Sequence, residues 1–241
     1  MSEKATPLLV VLLVVAAFAI GSMWTKIQYL QKGTVQVAGA QTGAGAQQPT
    51  APTAPSAPTV PTKVNVAVGP NDPVKGNPNA KLTIVEFADY QCPYCARFQS
   101  GTLPSILKDY VDTGKARFVF KNLAILGKES TDAANAALCA KEQNKFWEYH
   151  DKLFSSQSGE NQGGFAPDKL KGFAADLGLN TAQFNDCLDK QKYNNQVTAD
   201  QAEASKNGFQ STPSIAVGTT PVIGAQPYSQ FKTIIDGELA K

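Results

Sequence analysis

The sequence is poor in the residues that many classes of functional site require. Only one of its 241 residues is histidine, His150, which excludes multi-histidine metal sites and disfavours a histidine-based catalytic triad. The formal net charge is only +2 and no basic run stands out, so we expect no nucleic-acid partner. Neither GxxxxGK[ST] nor GxGxxG occurs, so no such phosphate-binding loop is predicted. We predict neither a bound metal nor a cofactor.

Long apolar runs are scarce too, and the one present lies at the N-terminus. Leu8 to Ile20 contains no polar residue. With the residues up to Trp24 it gives about 17 residues, or ~26 Å of helix, the short end of a membrane span. Trp24 and Lys26 suit the headgroup zone. We predict a membrane anchor (a signal-anchor) over residues 1–26, with a cleaved signal peptide as the alternative. Both place the rest of the chain outside the cytoplasm.

The composition changes after this run. From Gly33 to Thr62 the chain consists largely of Gly, Ala, Gln, Thr and Pro, which cannot build a core and is typical of an extended, partly polyproline tether. We therefore predict a disordered linker over residues 27–62. Residues 63–241 remain for a folded domain, about 180 residues and enough for a single core.

The strongest chemical signal is the tetrapeptide Cys92-Pro93-Tyr94-Cys95, directly after the apolar run Leu82–Phe87. A cysteine at a helix N-terminus is favoured as the thiolate by free N–H groups and the helix dipole. The thiolate is the nucleophile of disulfide exchange, and Pro93 suits a first helical turn. This pattern favours a redox-active pair; a structural disulfide or half of a zinc site is the alternative.

The folded part has an α/β pattern with a helical block inserted. Residues 81–87 and 115–120 are predicted strands, joined by a helix over 96–110 that Pro104 should kink. Such a βαβ unit implies parallel strands with a right-handed crossover. Helices then fill about 128–208, before a hairpin that begins at Pro213 and a closing helix from about Pro227.

Within the predicted helical block, several residues have specific roles. We expect Ser130 or Thr131 to cap the first helix and Thr181 to cap the fourth. If Cys92 pairs with Cys95, then Cys139 and Cys187 are left for each other, and each lies on the apolar side of its helix. We predict a structural disulfide between these two in an exported chain, with two buried free thiols as the alternative.

Three ordered blocks resemble the DsbA-type thiol–disulfide oxidoreductases, a thioredoxin-fold family with an inserted helical domain. They are the active-site block Val85–Cys95, the insertion motif Phe146–Asp151 and the cis-proline loop Ser211–Ser214. The match runs from about Gly69 to the C-terminus. The resemblance implies an extracytoplasmic thioredoxin fold that exchanges disulfides with polypeptides.

The family's functional residues map onto this sequence one by one. The resemblance implies that Cys92 is the exposed attacking cysteine and Cys95 the buried resolving one. Glu86, six positions before Cys92, would be a buried acid that relays a proton to the resolving sulfur. Pro213, preceded by Thr212, would be the cis-proline that faces the CxxC, and it would expose strand-like backbone for pairing with substrate.

Other residues have plainer interpretations. Tyr94 stands where the best-known strong oxidants of the family have histidine, so the redox poise is not fixed by the motif. CPYC is also the glutaredoxin motif, although the insertion and the export signal argue against that family. We interpret His150 as a packed structural residue, Arg97 as part of a solvated helix face and Asp89 as a turn residue.

The leading functional hypothesis is a membrane-tethered, single-pass disulfide oxidase on the periplasmic or cell-wall side, acting as a monomer. It would donate the Cys92–Cys95 disulfide to thiols of exported polypeptides, and a membrane quinone-linked oxidase of the DsbB or VKOR kind would regenerate it. One alternative is a reductase or isomerase kept reduced by a membrane electron carrier. Another is a redox-inert binding module whose cysteines are structural.

Overall fold

The computed structural model describes residues 61–241. A mixed sheet lies at the centre of this part of the chain, in the order β1-β3-β2-β4-β5. The pair β2–β3 is parallel, and the other neighbouring pairs are antiparallel. The strands are β1 (Val74–Lys75), β2 (Leu82–Ala88), β3 (Ala116–Asn122), β4 (Ser214–Val217) and β5 (Thr220–Ile223).

The N-terminal predictions fall almost wholly on residues before the described part of the chain. The predicted anchor, residues 1–26, and all but the last two residues of the predicted linker, 27–62, lie outside the described residues. Between residues 61 and 241, no helix is both long and apolar enough to cross a bilayer.

The predicted strands around the CxxC are present. Strands β2 and β3 are almost wholly buried, as expected for the centre of a covered sheet. The side chains of β2 alternate between its faces: Ile84 packs with Phe118, whereas Val85 and Phe87 pack with Phe209. Glu86 therefore lies on the same face as Ile84. The short edge strand β1 was not predicted, because two residues carry no periodicity.

The crossover between β2 and β3 is helical but irregular. It consists of α1 (Pro93–Arg97), a π-helical turn (Phe98–Thr102), α2 (Leu103–Ile106) and a second π-helical turn (Leu107–Val111). Pro104, which we expected to kink this helix, lies in the first turn of α2, where a missing N–H costs least. The preceding π turn includes a hydrogen bond from Leu103 N to Phe98 O. The ladder is thus widened next to the proline rather than broken.

Five helices form the inserted block between β3 and β4. They are α3 (Lys128–Lys141), α4 (Phe146–Ser155), α5 (Pro167–Asp176), α6 (Thr181–Asp189) and α7 (Asn194–Lys206). Their apolar sides share one core cluster, which also contains Cys92 and Cys95. A disulfide joins Cys139 of α3 to Cys187 of α6, with the Cα atoms 5.9 Å apart. The closing helix, α8 (Tyr228–Leu239), follows β5 and packs its Phe231 against Phe98.

The helix caps predicted from sequence were wrong. Helix α3 begins two residues before Ser130, after Gly127 in a left-handed backbone conformation (φ 118°). Its first turn thus starts without the predicted side-chain cap, and the Ser130 hydroxyl instead donates to Asp89. For α6 the cap is Asn180, whose side chain accepts a hydrogen bond from Gln183 N at 3.1 Å. Both helices thus begin at a different residue from the one that local preference predicted.

Candidate active site

The two cysteines of the CxxC lie where β2 hands over to α1. Cys92 is the residue that caps α1, in an extended conformation (φ −72°, ψ 121°), and Pro93 occupies the first turn. Cys95 lies within the helix, and both cysteines are free thiols. The first turn continues from Cys92, whose carbonyl accepts from Ala96 N at 3.1 Å. Cys92 therefore stands at the start of α1, whereas Cys95 lies about one turn inside the helix.

Cys92 is less exposed than we expected. The residue is only 5 % exposed, against 0 % for Cys95, so the predicted exposed cysteine is in fact largely covered. The cover comes from the loop before β4: the Cys92 thiol donates to Thr212 O at 3.4 Å. The Thr212–Pro213 peptide bond is cis. The structure thus brings together Cys92, Thr212 and Pro213, the residues that the resemblance assigned to exchange and substrate contact.

The environments of the two sulfurs drive their acidities apart. Hydrogen bonds to the Cys92 sulfur from the Cys95 thiol, from the Thr212 side chain and from the backbone N–H groups of Tyr94 and Cys95 outweigh partial burial and lower the pKa of Cys92 to about 6. Burial, with the hydrogen bond to Cys92, raises the pKa of Cys95 far above its ordinary value. At neutral pH the dithiol form therefore carries its charge on Cys92.

Glu86 is fully buried next to this pair. Its Oε2 accepts a hydrogen bond from Gln99 Nε2 at 2.7 Å. Burial raises the pKa of Glu86 to about 8, with a smaller contribution from the charge of Cys92, and the Gln99 amide partly opposes the shift. Gln99 also lines a groove of about 480 Å³ between the crossover helix and α4. The carboxyl is therefore mostly protonated at neutral pH and adjoins a side chain that reaches the surface.

The sequence and the fold match those of known proteins. Residues 69–237 match the family model described as Thioredoxin. Disulfide bond formation protein D of Bacillus subtilis is 34 % identical over 174 residues, which cover 69 % of this chain and 77 % of that protein. The crystal structure of oxidised BdbD from Bacillus subtilis superposes with a TM-score of 0.69 at 32 % identity, covering 74 % of this chain and 98 % of that one.

The chain belongs to the DsbA-like thiol–disulfide oxidoreductases. The fold alone is shared more widely: a Wolbachia pipientis α-DsbA1 structure matches with a TM-score of 0.65 at 22 % identity, over 72 % of this chain and 93 % of that one. The thioredoxin-like fold expected from the three sequence blocks is thus confirmed. As a member of this family the chain is an enzyme of thiol–disulfide exchange.

Within this DsbA-like site, Tyr94 points outwards. It is 55 % exposed, and the Arg97 guanidinium lies over its ring, 4.8 Å from the centroid. Arg97 is itself exposed, as the interpretation of a solvated helix face required, but it also holds the ring by a cation–π contact. The dipeptide between the cysteines thus presents an aromatic face beside the reactive sulfur.

His150 is a packed residue, as we interpreted it. It is 1 % exposed and its ring contacts those of Tyr90, Phe120 and Trp147. Its Nδ1 lies 2.9 Å from Asp151 Oδ1, yet burial is the larger influence and lowers the pKa of His150. A neutral imidazole among aromatic rings supports the core between α4 and the sheet.

Asp89 and Gln91 are the site residues that sequence reasoning undervalued. Both are buried, at 1 % and 3 % exposed, and neither is a mere turn residue. The signal available was two polar residues, alternating with Tyr90, between a buried apolar strand and the CxxC. Apart from the hydrogen bond from Gln91 N to Asp89, their side-chain partners lie 35 to 70 residues further along the chain, so no local pattern reports them.

Proposed function

We propose that this chain is a disulfide oxidase that transfers the Cys92–Cys95 disulfide to thiols of exported polypeptides. The observation that carries the proposal is the difference in acidity between the two sulfurs. A pKa of about 6 for Cys92 stabilises the reduced, thiolate form of the site at neutral pH. A dithiol stabilised in this way makes its disulfide the stronger oxidant.

The reaction balances through a mixed disulfide. A substrate thiolate attacks Sγ of Cys92 in the oxidised site, a substrate–Cys92 bond forms, and the Cys92–Cys95 bond breaks. The electron pair leaves on Cys95, whose buried sulfur takes a proton from Glu86. A second substrate thiolate then attacks the substrate sulfur of the mixed disulfide and releases Cys92 as thiolate. The substrate loses two electrons and gains a disulfide, and the site gains both electrons.

Glu86 suits this role because of where its proton resides. With a pKa of about 8 the carboxyl holds a proton at neutral pH, and it can return to that state through Gln99 and the adjoining groove. A thiolate expelled into an apolar setting needs such a donor. Thr212 and Pro213, beside Cys92, are where extended substrate backbone would pair.

The setting of this chemistry is part of the proposal. Residues 1–26 would anchor the chain in the membrane, residues 27–62 would tether the domain, and residues 63–241 would face the periplasm or the cell wall as a monomer. The disulfide between Cys139 and Cys187 supports an oxidising compartment. A membrane quinone-linked oxidase of the DsbB or VKOR kind would remove the electrons from Cys92 and Cys95.

A stopped-flow assay tests the direction of transfer. Oxidised protein mixed with an excess of a reduced dithiol peptide should oxidise the peptide and become reduced, whereas reduced protein should leave an oxidised peptide disulfide largely intact. Preferential reduction of the peptide disulfide would favour a reductase, and no transfer in either direction would favour a redox-inert module.

The role of each sulfur has its own test. Cys95→Ser should accumulate mixed disulfides with exported polypeptides through Cys92, and these should dissolve on addition of dithiothreitol. The matched Cys92→Ser protein should accumulate few, because Cys95 is fully buried. Equal trapping by both variants would contradict the assignment of Cys92 as the attacking cysteine.

A further inference from the structure

Asp89 is a buried carboxylate held by four neutral donors. Its Oδ1 accepts from Gln91 N at 2.8 Å and from the Ser130 hydroxyl at 2.6 Å. Its Oδ2 accepts from Ile125 N at 2.8 Å and Leu126 N at 2.9 Å. Three of the four donors are backbone N–H groups in two different segments. The carboxylate therefore ties the segment before the CxxC to the loop after β3 and to the first turn of α3.

Gln91 extends this connection to a third segment. Its Nε2 donates to the Ser130 hydroxyl at 2.8 Å, and its Oε1 accepts from Asn161 N at 2.6 Å. Gln157, from the same loop as Asn161, donates to Tyr90 O at 2.6 Å and to Cys92 O at 3.1 Å. The backbone from Asp89 to Cys92 is thus fastened to the inserted helical block at several points.

The same network sets the position of the reactive helix turn. The Cys92 N–H donates to the carbonyl of Asp89 at 3.0 Å, so the residues 89–92 form a tight turn closed by Asp89 at both its side chain and its carbonyl. The donors that stabilise the Cys92 thiolate include the backbone N–H groups of Tyr94 and Cys95. Their direction relative to Sγ depends on how that turn presents α1.

We propose that Asp89 is a positioning residue for the exchange reaction, which holds the CxxC turn against the inserted helical block and so aims the helix N–H groups at the Cys92 sulfur. This inference rests on the proposed function for its purpose, but its geometry is independent of the direction of electron transfer. It also explains why residue 89 is an aspartate rather than an asparagine, because only a carboxylate can accept hydrogen bonds on both of its terminal atoms.

Replacing Asp89 has two opposite effects on the pKa of Cys92, one from the lost charge and one from the lost positioning. Removing a nearby negative charge, with geometry kept, makes a thiolate easier to form and lowers the pKa of Cys92. Losing the alignment of N–H donors makes it harder to form and raises that pKa. In Asp89→Asn one oxygen becomes an NH₂ group that faces donors, so the alignment cannot be kept.

The test is the pH dependence of Cys92 alkylation by iodoacetamide in the reduced full-length protein. For Asp89→Asn we expect the apparent pKa of Cys92 to rise from about 6 to about 7, which lowers the alkylation rate at about pH 6 roughly fivefold. Ser130→Ala, which removes one donor and keeps the charge, should shift the titration in the same direction by less. The same variants should show a matching loss in the oxidation rate of a dithiol peptide.

Asp200→Asn is the matched control. Asp200 is also buried and also accepts a backbone N–H, from Asn122 at 3.0 Å, but none of its hydrogen bonds in the described chain involves residues 89–95. In Asp200→Asn the Cys92 titration should stay in place.

An unchanged or lowered Cys92 pKa in Asp89→Asn would overturn the proposal, as would an equal shift in Asp200→Asn. If Asp89→Asn does not fold, Ser130→Ala decides, and an unshifted titration there counts against the proposal. Alkylation needs no exchange activity, so a wild-type protein that exchanges no disulfides would defeat the proposed function and leave this test standing.

Discussion

Replacing Glu86 by glutamine should stabilise the protein near neutral pH. Glu86 is fully buried, and its pKa rises from an ordinary 4.5 to about 8 on folding. A raised carboxyl pKa means that the folded state binds the proton more tightly than the unfolded state. The contribution of Glu86 to stability is therefore most favourable below about pH 4.5, is lost as the pH rises from about 4.5 to about 8, and levels off above about pH 8.

The size of the effect follows from the same two values. At pH 7 the unfolded chain has Glu86 ionised, about 2.5 pH units above its ordinary pKa, and each unit corresponds to about 1.36 kcal/mol. Wild type should thus be about 3 kcal/mol less stable at pH 7 than Glu86→Gln. The glutamine carbonyl can still accept the hydrogen bond that Gln99 donates, so little is lost in exchange.

Urea unfolding of both proteins between about pH 4.5 and pH 8 measures the gap directly. Measuring the oxidised form removes the titration of Cys92, while burial, the main cause of the Glu86 shift, remains. Glu148→Gln is the control: that carboxylate is exposed beside Lys145 and should change stability by less than about 1 kcal/mol. A stability gap between wild type and Glu86→Gln that is the same at both ends of the pH range would refute the reasoning.

Three further predictions concern other parts of the domain. Replacing Cys139 and Cys187 together by alanine removes a disulfide that spans a sequence separation of 48, and should lower the free energy of unfolding by up to ~4 kcal/mol. Thermal unfolding should show this loss. The exchange rate should stay within about twofold, since neither sulfur belongs to the CxxC. Gln99→Leu removes the amide that lowers the pKa of Glu86, so the pH profile of exchange should move to higher pH; a profile that moves to lower pH would contradict the assigned hydrogen bond. Lys121→Met removes the cation that Asp72, Asp200 and Glu203 share at a buried site, and should lower the free energy of unfolding by about 3 kcal/mol or more. Burial raises the pKa of Asp200 to about 6, so this carboxyl is largely protonated at about pH 5. The loss measured by urea unfolding should therefore be smaller at about pH 5 than at pH 8.

The sequence predicted the parts of this fold that depend on local pattern. The apolar runs gave β2 and β3 to within two residues, and Pro167 correctly opened α5. The pattern failed at helix starts: Ser130 was assigned as a cap, whereas its hydroxyl donates to Asp89. A short edge strand such as β1 needs its partner β3 to exist at all.

The candidate site shows the same division. The CxxC and its place before a helix followed from sequence, and the family resemblance supplied Glu86, Thr212 and Pro213. The resemblance also placed the Thr212–Pro213 loop opposite the CxxC, which no spacing rule could do, because Thr212 lies 120 residues from Cys92. What did not follow is how far Cys92 is covered, since it was expected to be exposed. Asp89 was undervalued for a related reason: three of its four side-chain partners lie beyond the crossover, and their donors are mostly backbone N–H groups, which every sequence has.

The measurement that tests the central claim most directly is the reduction potential of the Cys92–Cys95 pair, from its equilibrium with glutathione redox buffers. A Cys92 thiolate favoured at neutral pH predicts an oxidising couple, with a potential closer to the ~−120 mV of DsbA than to the ~−270 mV of thioredoxin. A value near −270 mV would mean that the site holds its disulfide too firmly to donate it, and would contradict the assignment as an oxidase.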